Sequence, residues 1–445
     1  MIRKMKSNLI TAIILTNMIL NASGQPGDKL EREISVQTPY ALELCQYLHQ
    51  NPELSFMEFE TAARMASELE RIGFEVTRNF GGNNVAGLFR NGDGPVVMLR
   101  TDMDALPVEE KTGLPFASTR KTTNAEGAEV PVMHACGHDI HMSVWVGTLR
   151  TLVALKDHWK GTLLVIAQEA EEVSGGAAKA ISEGLFSKFP VPEVALAYHI
   201  NPELPSGKVG IAPGPVFAGV KTAEITVHGK GGHGAYPEKC IDPVVIASRI
   251  VLDLQTIVSR EISPLDPVVV TVGSIHGGTR PNIIPDRVKL ELTLRYYSEE
   301  VISKVIRSIE RIAASAARTA GMPDSQLPEV TVYPVDTPPV LNDQKAATLA
   351  ETFTGKAIGS ENVVRVKPAM VGEDFGKYGY TPEKVATCLM WLGSTEPAHL
   401  QEIVTKGGEP APLHSPYLLP DYRNTIETGI RVMTANVLGF MNKGL

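Results

Sequence analysis

Thr162-Leu163-Leu164-Val165-Ile166-Ala167-Gln168-Glu169-Ala170-Glu171-Glu172 is the stretch that decides the fold. Thr162 to Ala167 is a short, uncharged run of the kind found in strands covered on both faces. An acidic pair follows directly. The layout recurs: Val96 to Leu99 is another such run, with Thr101 to Asp104 at its end, and Val194 to Tyr198 is a third, with His199 at its end. In open α/β sheets, ligand sites lie outside the carboxyl ends of the strands. Acidic and imidazole groups just past successive strands therefore predict an α/β domain with a mostly parallel sheet and one site along its edge.

Helical patterns fill the intervals. Pro52-Glu53-Leu54 introduces one that runs through Glu70, and Gly73 ends it as a C-cap would. Residues 139 to 155 read as another. From about Val220 to Val335 the rhythm changes. Thr222–His228, Val268–Ile275, Arg287–Tyr297 and Val330–Tyr333 read as strands, with helical patterns over Pro243–Ile262 and Glu299–Ala320. The order β-α-β-β-α-β is the ferredoxin-like unit. Residues 220–335 are thus expected to form a smaller inserted domain, which interrupts a catalytic domain made of 25–219 and 336–445.

A chain of 445 residues is long enough for two cores. Hydrophobic residues at 43% and charged residues at 21% are ordinary for a soluble protein. A net charge of −8, with no dense Lys/Arg run in the mature region, gives no nucleic-acid surface. At the start, Arg3, Lys4 and Lys6 precede an apolar run from Leu9 to Leu20, and Ala22-Ser23-Gly24 supplies small residues. That is the layout of a secretory signal over residues 1–24, so export is expected, with an uncleaved N-terminal anchor as the alternative. No other stretch approaches a membrane span. Four widely spaced cysteines leave a Cys45–Cys388 bridge open, but Cys136 sits among histidines and reads as a ligand.

The chemistry concentrates in Met133-His134-Ala135-Cys136-Gly137-His138-Asp139-Ile140-His141. Thiolate and imidazole are first-choice ligands for zinc-like metals. Cys136 and His138, in a turn that Gly137 lets bend, can meet one metal. Taken alone, the pair is equally a buried thiol beside a capping histidine. Asp102 or Asp104 could fix the tautomer of a ligating histidine. In the Glu171-Glu172 pair, one residue can bind metal while the other faces water as a general base; a solvated acidic turn is the plain alternative. His199 and His414 complete the candidates. In the inserted domain, His233 lies within Gly231-Gly232-His233-Gly234 and could donate to an oxyanion. Arg280 and Asn282 lie in a second glycine-rich loop and could hold a substrate carboxylate and a carbonyl.

In order along nearly the whole mature chain, the pieces are Leu48-His49 with Pro52-Glu53-Leu54, Arg100-Thr101-Asp102-Met103-Asp104-Ala105-Leu106-Pro107, His134 to Asp139, Ala170-Glu171-Glu172, Gly232-His233-Gly234-Ala235, Asn282-Ile283-Ile284-Pro285, Glu373-Asp374-Phe375 and Leu413-His414-Ser415-Pro416. This set resembles the aminoacylase and carboxypeptidase G superfamily of dinuclear-metal amidohydrolases. Within it, the set looks like the branch of hippurate hydrolases, N-acyl-amino-acid amidohydrolases and indole-acetyl-amino-acid hydrolases.

The resemblance implies Cys136, His138, Glu172, His199 and His414 as ligands of two divalent metal ions (zinc, manganese or cobalt). It implies Glu171 as catalytic base and Asp104 as a supporting carboxylate. It also implies a lid that pairs two copies into a homodimer, with His233 and Asn282 binding substrate and His233 serving either its own or a neighbouring site. The chain departs from the branch at Glu169, at Val173-Ser174 and at Ile200-Asn201-Pro202-Glu203, which border the expected pocket and spare the ligands. The expected activity is hydrolysis of an N-acyl-amino acid, hippurate-like or related, to a carboxylic acid and a free amino acid. A dipeptidase or carboxypeptidase with the same metal centre, and a non-catalytic binding protein on the same fold, are the alternatives.

Overall fold

A computed structural model describes residues 26–333 and 337–443. The elements that position the site are α1 (Pro26–Gln50), α2 (Phe59–Arg71), β1 (Glu75–Thr77), β2 (Val85–Arg90), β3 (Val96–Asp102), α3 (His138–Ala154), β4 (Thr162–Gln168), β5 (Val194–Pro205), β6 (Val209–Gly210) and β7 (Gly219–His228). They continue with α4 (Pro243–Thr256), β8 (Val268–Gly277), β9 (Arg287–Tyr296), α5 (Glu299–Thr319), β10 (Glu329–Val332), α6 (Gln344–Ile358), β11 (Val363–Val364), β12 (Ala386–Thr395) and α7 (Tyr422–Lys443).

Eight strands form the main sheet in the order β1-β2-β4-β3-β5-β12-β6-β11. Its centre, β4-β3-β5-β12, is parallel throughout. The uncharged strands predicted this, because each is covered twice. Val97 and Leu99 of β3, with Leu163, Val165 and Ala167 of β4, join one core with α1, α2, α3 and α7. Met98, Leu164 and Ile166 point the other way, into a second core with Phe375 and Tyr378.

The inserted unit is a four-stranded antiparallel sheet, β8-β9-β7-β10. Its strand residues alternate between buried and partly exposed, and α4 and α5 close a separate core on the buried side. A short ribbon, Gly232–His233 against Ile283–Ile284, projects from it.

Some boundaries differ from expectation. The helix expected from Pro52 begins at Phe59, because Glu53 spends its carboxylate capping the amides of Glu60 and Thr61 from outside the helix. The strand expected to stop at Tyr198 runs on through His199 to Pro205. Cys45 and Cys388 are buried free thiols, so that bridge does not form. No described helix is long and apolar enough to cross a membrane. The proposed leader, residues 1–24, lies outside the described residues.

Candidate metal centre

The centre is built at the carboxyl ends of β3, β4 and β5, and each donor has a backbone reason for its place. Gly137 takes a left-handed φ of +79° and precedes α3; a Cβ there would sit 2.3 Å from Ile200 Cδ1. Only glycine lets the chain turn so close to β5, and the turn puts Cys136 and His138 on one side.

His138 Nδ1 lies 2.8 Å from the Asp104 carbonyl oxygen, and His199 Nδ1 lies 2.8 Å from that of Ile200. A carbonyl only accepts, so both rings carry their proton on Nδ1 and present a lone pair at Nε2. His138 Nε2 and Glu172 Oε1 are buried and have no hydrogen-bond partner within the protein; they lie 3.8 Å apart. His199 Nε2 is 3.4 Å from Cys136 Sγ. His414 Nε2 is 3.3 Å from Glu172 Oε2.

His414 has a left-handed φ of 66°, and its amide donates to the Ala135 carbonyl at 2.7 Å. That bond zips its loop to the Cys136 turn. Orphaned lone pairs on a buried imidazole and a buried carboxylate are what a divalent cation would satisfy. The donors form two overlapping triads, Cys136 with His138 and His199, and Cys136 with Glu172 and His414, which share the thiol. That fits two neighbouring ions.

The electrostatics agree. Burial pushes the His138 ring down, but Asp102, Asp104 and Glu172 outweigh it and lift the ring to about 10, so that without another cation a second proton would take the Nε2 position that a metal would occupy. Burial, then Glu172 and Glu171, hold the Cys136 thiol well above its ordinary value. The pocket is short of positive charge. Glu171 is pushed up by burial first, then by Glu373, Glu172 and Asp374.

Asp104 sits one layer behind. Its carboxylate accepts the amides of Glu171 and Glu172 at 3.1 and 3.0 Å and the Ser55 hydroxyl at 2.6 Å. It therefore holds the acidic pair in place, and its Oδ1 also lies 3.4 Å from His138 Nδ1. Asp102 approaches the other nitrogen of the same ring, 3.9 Å from His138 Nε2. It also accepts from His141 Nδ1 at 2.8 Å, while His141 Nε2 accepts the Ile200 amide at 2.9 Å. Both His141 nitrogens are thus occupied by hydrogen bonds within the protein.

A cavity of about 430 Å³ opens over the cluster, lined by Cys136, Glu171, Glu172, His199 and His414. His233, Arg280 and Asn282 do not line it; all three are exposed on the ribbon and its loop. His233 Nδ1 accepts the Ala235 amide at 3.0 Å, and the Gly234 amide donates to the Asn282 carbonyl. The expected substrate role of these three is therefore not met within their own chain.

Arg295, on β9, lines the cavity in their stead. Its Nη1 is buried without a hydrogen-bond partner, and burial lowers its pKa. No sequence signal marks it, because on an alternating strand a polar residue reads as solvated. Beneath the cluster, Arg100 bonds Asp102 at 2.6 Å, Glu373 at 2.9 Å and Asp374 at 3.0 Å, all fully buried. A charged residue inside an uncharged strand was its signal.

Several proteins are similar over most of this chain. The N-acetyldiaminopimelate deacetylase of Bacillus pumilus is 37% identical over 403 residues, covering 87% of this chain and 94% of that protein. The N-acetyl-L-cysteine deacetylase of Bacillus subtilis is 36% identical over 338 residues, 75% and 76% of the two chains. The crystal structure of the Bacillus subtilis YxeP protein, described as a dinuclear metal binding peptidase of the M20 family, aligns with a TM-score of 0.73 at 28% identity, covering 92% of this chain and 99% of that one.

These relatives leave one expectation without support and overturn another. Both deacetylases are named for removing acetyl groups, so the hippurate-like acyl group finds no support among them. As deacetylases of amino-acid metabolism they also overturn the expected export. Residues 98–406 match peptidase family M20/M25/M40, and with such relatives along most of its length the chain belongs to that family of hydrolases.

Proposed function

We propose that the protein hydrolyses the amide of N-acyl-amino acids with small acyl groups such as acetyl, using two divalent metal ions held by Cys136, His138, Glu172, His199 and His414. The observation that carries this reading is the convergence of unpartnered His138 Nε2 and Glu172 Oε1 beside Glu171, under one cavity that also holds Arg295. Divalent ions in such a site polarise an amide carbonyl and make water more acidic. Glu171 takes the proton of the attacking water and delivers it to the leaving nitrogen, a role suited to a carboxyl whose surroundings favour holding a proton. Arg295, its Nη1 unpaired, receives the substrate carboxylate. His233 and Asn282 act on the site of a neighbouring copy, since they are remote from their own; this makes a homodimer the working form.

The test is release of free amino acid from N-acetyl-amino acids by protein reloaded with zinc, manganese or cobalt in turn. Release that stops with chelator supports the proposal. No release from any N-acyl-amino acid with any of the three metals bound overturns it.

A further inference from the structure

We infer that the amino acid released by this enzyme carries an uncharged, apolar side chain, and that Val371 selects it; this rests on the reading of the cavity as an N-acyl-amino-acid site. Arg295 does not stand alone in the cavity. Its partner on the adjacent antiparallel strand is Val220, and directly opposed residues share a face of the sheet. Val220 also lines the cavity, as do Met370, Val371 and Gly372. Gly372 lies so near the strand that a Cβ there would be 2.6 Å from Val220 Cγ2. The segment 370–372 is therefore the wall beside the residue that would hold the substrate carboxylate, and the side chain on the same carbon must lie close to that wall.

The wall is fixed at both ends. The Ala218 amide donates to the carbonyls of Ala369 at 3.1 Å and Val371 at 3.0 Å, and the Ala369 amide donates to Val216 at 2.8 Å. Immediately downstream, Glu373 and Asp374 are held by Arg100. A wall tied in this way cannot swing aside to bring in a polar partner.

Among the described residues lining the cavity, Arg295 is the one arginine or lysine, and the two carboxylates, Glu171 and Glu172, belong to the donor cluster. A substrate side chain with its own ammonium or carboxylate would lose water against Val220, Met370 and Val371 and, outside the donor cluster, find only the Ser174 hydroxyl among the described lining residues as a neutral polar partner. Burying an uncompensated polar or charged group costs enough to lower kcat/KM on the order of 10- to 100-fold.

The experiment uses the metal-loaded full chain and three substrates, N-acetyl-L-methionine, N-acetyl-L-lysine and N-acetyl-L-glutamate. Wild type is expected to favour the methionine substrate by at least about 10-fold in kcat/KM over both charged ones. Charged substrates turned over as well as methionine overturn this inference and leave the N-acyl-amino-acid reading standing. No turnover of any of them, with metal bound, overturns the underlying reading instead. Val371 is 50% exposed, so Val371→Asp should fold. In that variant the lysine-to-methionine ratio of kcat/KM is expected to rise about 10-fold. An unchanged ratio removes Val371 as the selector, and the wild-type ratios decide the side-chain class whatever the variant does.

Discussion

His138 and His199 on one side, and His233 on the other, show two ways in which a protein can hold an imidazole. The first two are buried, and each gives its Nδ1 proton to a backbone carbonyl, so the direction of the free lone pair is fixed before anything binds. His233 is exposed on a two-residue ribbon, and its Nδ1 is taken by a neighbouring amide. The donor cluster gathers within one chain, whereas the ribbon is exposed and is proposed to act on a neighbouring copy. Preorganisation by the backbone separates the two, and it can be tested at several depths.

The largest expected effect is at the base. Glu171→Gln should lower kcat on the order of 10²–10⁴-fold, the usual worth of a general base. A variant retaining a third of wild-type activity would show that the acid-base work lies elsewhere. Next comes Arg295→Ala, expected to lower kcat/KM for an N-acyl-amino acid about 10²-fold, since a desolvated charge pair loses one member. An N-acyl-amine without the carboxylate should be insensitive to the same substitution; equal losses on both would remove Arg295 as the carboxylate partner.

His49 offers a test that involves no catalysis. Burial pushes its ring down, but Asp139 at 2.8 Å and Glu110 at 3.1 Å outweigh this and raise it to about 10. A histidine raised in the fold stabilises fully below its ordinary value of 6.5, and that contribution is lost as pH rises towards 10. His49→Gln should therefore cost about 3–5 kcal/mol at pH 6 and clearly less at pH 9.5, by urea unfolding. A difference that is flat across this window would mean the charge is not what holds the site. The smallest effect is expected at His233→Ala, about 10-fold in kcat/KM with metal content unchanged. Mixing it with Glu171→Gln protein should restore part of the activity if the ribbon serves a neighbouring copy.

Much of this was legible in the sequence because parallel strands buried on both faces read as unbroken apolar runs, and their ends are where ligands gather. Asp102, Glu171 and His199 could be placed in this way. The strand holding His199 ran further than expected, since Asn201 to Pro205 carry no strand pattern and are held by pairing to β12. Arg295 was not legible: Lys289, Glu291 and Thr293 precede it on the same face, and only the fold reveals that the last position reaches the cavity. The exposure of His233 was not legible either, because glycines around a histidine look alike in a buried turn and on a projecting ribbon. The partners of the Asp104 carboxylate were not legible, because they depend on where the amides of Glu171 and Glu172 fall.

The central claim is that two adjacent glutamates divide the work, Glu172 holding metal and Glu171 moving a proton. Metal content measured by elemental analysis on Glu171→Gln and Glu172→Gln, purified identically, tests it most directly. The account predicts that Glu171→Gln keeps the wild-type metal complement while losing turnover, and that Glu172→Gln loses metal, because Glu172 Oε1 and Oε2 lie against His138 and His414. Metal lost from Glu171→Gln and kept by Glu172→Gln would contradict it.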